Sequence, residues 1–104
     1  MSVKPPKAEV AQGVAQDYAE AVKWWRKAAE QGYVLAQLNL GTSYAEGQGV
    51  AQDYVSAHMW FNLAAAQGWI TGRKRRDAIQ KNMPPDQIAA AQRMAREWMA
   101  KHQQ

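Results

Sequence analysis

The chain has 104 residues, no cysteine, two histidines and a formal net charge of +4. That length supports one modest hydrophobic core, and the missing cysteines exclude disulfide staples, thiolate metal sites and cysteine nucleophiles. Apolar residues at 47% against 21% charged describe a water-soluble folded domain and not a disordered tail.

The opening stretch, Met1 to Lys7, carries charge and a proline pair but no apolar run behind them. It reads neither as an export signal nor as an anchor, and no later stretch approaches the ~20 apolar residues of a membrane span. A piece cut from a longer exported parent would read the same, so cytoplasm and periplasm both stay open. Residues 1–12 are expected to be an N-terminal extension or the remnant of a truncated repeat.

From Asp17 to Gln31, Tyr18, Ala21, Val22, Trp25, Ala28 and Ala29 keep to spacings of three and four, the pattern of a one-sided helix. Asp17 is expected to cap it, and Gly32 to end it through a left-handed backbone. A second helix is expected from Val34 to about Ala45, before Gly47-Gln48-Gly49. A third opens at Asp53 and closes at Gly68. Gly41 falls inside the second helix, where glycine costs ~1 kcal/mol relative to alanine; close approach of a neighbouring helix is the expected reason. Ile70 to Lys81 and Pro85 to about Lys101 form the last two helices, the latter with proline in its first turn. The five helices describe an all-α chain.

These elements repeat. Shifted by 36 positions, Gln12–Tyr18 (QGVAQDY) falls on Gln48–Tyr54 without a mismatch, Ala21 on Ala57, Trp24 on Trp60, Ala28-Ala29 on Ala64-Ala65 and Gln31-Gly32 on Gln67-Gly68. A period of that size marks a solenoid of stacked supersecondary units. Residues 13–104 then divide into the second helix of one repeat (17–31), a whole repeat (34–67) and a divergent capping pair (70–102). The first helix of the first repeat has no counterpart, because Pro5 falls where Gly41 stands. Trp24 and Trp60 are expected to do the same packing work.

The residues Ala36, Leu40-Gly41, Tyr44, Gly47, Gly49-Val50, Asp53, Ala57, Trp60, Ala64-Ala65 and Gly68 resemble the pattern of the Sel-one-like repeat family, relatives of the tetratricopeptide repeats, over roughly Gly13 to Gly72. The resemblance implies a short α-solenoid with first helices lining a concave face and a role as an adaptor in protein assemblies. Some cysteine-rich bacterial relatives are linked to binding or hydrolysing β-lactams, which keeps a small hydrolase as the alternative. The disulfide staples of those relatives are missing here.

Catalysis finds no motif-grade constellation, and no cofactor or metal is expected. His58 reads as a structural histidine, since its repeat equivalent is Val22, and His102 sits in a tail expected to fray. Trp25, Trp60 and Trp98 are read with Trp24 as core; Trp69 and Tyr33 are candidates for a partly exposed rim. Placing Ala36, Leu40 and Tyr44 inward at ~100° per residue sends Leu35, Leu38, Thr42 and Glu46 to a candidate partner-binding face, unless the next helix pair covers Leu35 and Leu38. Tyr18, Trp24 and Trp25 mark an uncovered N-terminal face suited to pairing with a second copy of the chain or with a missing upstream repeat. Arg73, Lys74, Arg75 and Arg76 form a basic run that could meet an acidic polymer, although consecutive helical residues point in nearly all directions and build no single nucleic-acid stripe.

Overall fold

A computed structural model describes residues 7–102, with side chains from Asp17 to His102. Five helices follow one another: α1 (Lys7–Glu30), α2 (Val34–Glu46), α3 (Tyr54–Ala66), α4 (Ile70–Gln80) and α5 (Pro85–Lys101). None is long and apolar enough to cross a membrane among the described residues.

Glycines set most of the breaks. Gly32, Gly47 and Gly68 follow the ends of α1, α2 and α3 at φ +94°, +69° and +92°, a left-handed backbone that closes a helix without a Cβ penalty. Asp53 caps α3: its Oδ1 accepts from the backbone N–H groups of Val55 (3.0 Å) and Ser56 (3.2 Å). Asp17, its counterpart, caps nothing, because α1 runs straight through it. The heptapeptide QGVAQDY is thus helical at 12–18 and a loop leading to a helix cap at 48–54. The difference lies just upstream. Gly47 terminates α2 before the second copy, whereas Ala11 stands in its place before the first and offers no left-handed exit.

The helices stack in order, α1 on α2, α2 on α3 and α3 on α4, while α5 also packs on α3. The expected capping pair is therefore not a mutual pair. Few residues of α4 and α5 approach one another; each is held by its own side of α3. The composition of α3 explains this, since Ala57, His58, Met59, Trp60, Phe61, Leu63 and Ala64 are all buried and leave it apolar nearly all round. One side joins Trp60 and Leu63 to Val22 and Ala29 of α1, Ala36 and Leu40 of α2 and Ala95 of α5. The other joins Ala57, Phe61 and Ala64 to Leu38, with Ile79 of α4 against them.

Close approach of α3 to its neighbours is paid for with glycine at two places. A Cβ at Gly41 would stand 2.6 Å from the Phe61 ring, and one at Gly72 would stand 2.8 Å from the Phe61 carbonyl oxygen and 2.9 Å from the Ala64 Cβ. Gly41→Ala meets the far end of a ring that can tilt, but Gly72→Ala meets backbone. Gly72→Ala is therefore expected to cost about 1–3 kcal/mol by overpacking, seen in thermal unfolding as a fall of several degrees. Gly41→Ala should cost less.

Candidate interaction surfaces

Side chains of α2 and α4 meet across α3 and form a groove of about 290 Å³ lined by Thr42, Ala45, Glu46, Phe61, Arg75, Ala78 and Ile79. Its floor is apolar, with Phe61 buried and Ile79 packed on the same cluster. Arg75 reaches across from α4, its Nη1 donating to Thr42 Oγ1 at 2.8 Å. Glu46 stands exposed on the last turn of α2. The groove thus offers an apolar slot with an acid and a base at its edges.

The four residues expected on one partner-binding face part company. Thr42 and Glu46 line this groove. Leu38 does not, being 6% exposed and packed with Ala57, Phe61 and Ala64, because α2 is covered on two sides and not one. Leu35 is 61% exposed but borders a separate cleft of about 440 Å³ at the α1–α2 end, with Trp25, Tyr33 and Val34. At that same end Tyr18 is half-buried and Trp25 packs on the core. Trp24 is exposed, so the expected equivalence with buried Trp60 fails. Trp60 has the edge of Trp98 against it, with ring centroids 6.0 Å apart; no described helix covers Trp24 in that way.

The basic run is also divided. Arg75 faces the groove, and Arg76 turns inward, donating to Asn62 Oδ1 at 2.9 Å and pairing with Asp77 at 3.0 Å. Arg73 and Lys74 are exposed with Arg75. Three exposed cations, one of them committed to the groove edge, make a smaller patch than four in a row suggest. Trp69 and Tyr33 both lie open to solvent beside their turns.

A third cleft, of about 340 Å³, lies where α1, α3 and α5 end, bordered by Glu30, Gln37, Gln67, Trp98, Met99 and His102 among others. Gln37 is fully buried, and its Nε2 donates to the Ala29 carbonyl at 3.2 Å. Gln67 Nε2 donates to Gln37 Oε1 (3.0 Å) and to the Gly32 carbonyl (2.9 Å). The side chain of one repeat thereby holds the closing loop of the previous one. Sequence reasoning took Gln-Gly at 31–32 and 67–68 only as a helix ending; the repetition of the glutamine was the missed signal. His102 does not lie loose either, stacking on Trp98 at 3.8 Å between ring centroids.

The Sel1 repeat family model matches residues 10–33 and 34–69. No curated protein sequence matches the chain. Among solved structures, the chain is similar to a protective antigen present in uropathogenic Escherichia coli strains, whose crystal structure displays an SLR fold, at 31% identity and a TM-score of 0.79. The similarity covers 90% of this chain and 22% of that one, so the chain spans about a fifth of its solved relative.

His58 occupies a core position, as Val22 does one repeat earlier, and its Nε2 bonds to Gln80 Oε1 at 2.7 Å. Its Nδ1 is buried without a partner, so a second ring proton would have no acceptor. Burial holds the imidazole pKa below its ordinary 6.5; the Gln80 bond pulls upward, and Arg76 adds to the lowering. A depressed folded value means that the unfolded chain takes up the proton first, so stability is full above 6.5 and drains away as pH falls from there through the folded value. Thermal unfolding followed by circular dichroism should show a drop in Tm from about pH 7.5 to about pH 5 that is smaller in His58→Leu than in the parent chain.

Proposed function

Because the chain belongs to the Sel1 repeat family, we propose that it is a protein-interaction scaffold with no reaction of its own, and that the α2–α4 groove receives a segment of its partner. The groove itself supports this reading most directly. Phe61, Ile79, Ala45 and Ala78 give a bound segment an apolar seat, while Glu46 and Arg75 offer opposite charges that fix its direction. Rigid walls add to the case, because Phe61 is locked between α2 and α4 and loses little freedom when a ligand arrives.

The hydrolase alternative has less to stand on. The described hydrogen bond of His58 is to the amide of Gln80, and not to a nucleophile or an acid. Among the described residues no group of three or more His, Asp or Glu side chains is placed to hold a metal ion. Acidic-polymer binding rests on Arg73, Lys74 and the groove-edge Arg75, since Arg76 is engaged within the fold.

Peptides selected from a random display library on the immobilised chain provide the test. Filling the groove with Ala78→Trp should weaken the selected peptides about tenfold or more, and Glu46→Arg should alter which charges they carry. Selected peptides that bind both variants as well as the parent would place the partner site elsewhere.

A further inference from the structure

Trp24 leaves 62% of its surface in water, a large unburied indole on the outer face of α1. Lys27 lies over its ring, Nζ to centroid 5.0 Å, and Lys23 approaches Glu20 at a loose 3.9 Å. At ~100° per residue, Glu20, Lys23, Trp24 and Lys27 fall within an arc of about 100° and so form one strip. Two more exposed large apolar side chains, Tyr33 and Leu35, belong to the same end of the molecule.

The order along the strip is acid, base, indole, base. The point midway between Lys23 and Trp24 is also midway between Glu20 and Lys27. A two-fold axis through that point lays a second α1 antiparallel on the first. Each Glu20 then meets the Lys27 of the other copy, giving two ion pairs from one operation, while each Trp24 keeps to its own flank and lies beside the other copy's Trp24, and the two Lys23 side chains turn to solvent at the opposite flank. Asp17 and Glu30 lie at the flanks of the strip, where crossing helices diverge and their like charges stay apart. An acidic partner would instead find Glu20 in its path.

We infer that the outer face of α1 is self-complementary and joins two copies of this chain through an antiparallel α1–α1 contact centred on Lys23 and Trp24. The interface lies apart from the α2–α4 groove. Ala78→Trp should leave it intact, so the two readings fail separately.

Sedimentation velocity across a micromolar range tests the inference. The parent chain should shift from monomer to dimer with concentration. Glu20→Lys and Lys27→Glu should each weaken association about tenfold or more, since each sets like charges face to face. Mixing the two single variants in equal amounts should restore the dimer, because each altered face then meets its opposite, and the double substitution should restore it within one chain. Circular dichroism will verify that these exposed substitutions leave the helices formed. A parent chain that stays monomeric throughout overturns the inference, as does a dimer that neither substitution weakens or that the mixture fails to restore.

Discussion

The stack hangs on one fit: Phe61 of α3 lies between a glycine of α2 and a glycine of α4. Its ring occupies the space that a Gly41 side chain would need, and its carbonyl borders Gly72. With both glycines, three helices share one buried aromatic residue, and burying such a side chain stabilises the fold by roughly 1.5–3 kcal/mol. The groove depends on the same arrangement. Its floor is Phe61, and its walls are the two helices that Phe61 keeps at their close spacing. Fold and candidate site therefore share a foundation, and neither can be altered there without the other.

Much of this was legible in the sequence because it rests on local chemistry. Gly32, Gly47 and Gly68 announce helix ends by the backbone they permit, and Asp53 announces a helix start by the donors it accepts. Gly41 was legible too, since a costly residue inside a helix implies a close neighbour. What periodicity could not convey was how many neighbours a helix has. Leu38 is buried because α2 is covered on two sides, and Trp24 is exposed because no described residue covers it as Trp98 covers Trp60. The same limit applies to α4 and α5. Their hairpin-like spacing suggests a mutual pair, yet α3 is apolar enough around its circumference to claim both.

The two proposed contact surfaces differ in chemistry and lie at separate places. The α2–α4 groove is narrow, apolar and edged by opposite charges, suited to a short segment. The α1 strip is convex, with an exposed indole among cations. A scaffold needs at least two such places, since an adaptor with one binding surface connects nothing. The identical heptapeptides at 12–18 and 48–54 add a caution about repeats, for one is helix and the other loop. Repeated sequence counts evolutionary copies, whereas the structure counts physical units.

The amide of Gln67, reaching back to the Gly32 carbonyl, gives the joint between units a polarity. The reaching group belongs to the later hairpin and the receiving carbonyl to the earlier one. The reception site is main chain, which every amino acid supplies, so the fastening asks nothing of the earlier unit's side chains. On the amino-terminal side the joint is therefore held to its side chains by apolar packing alone, through Val22 and Ala29, while the carboxy-terminal side must also keep its glutamine.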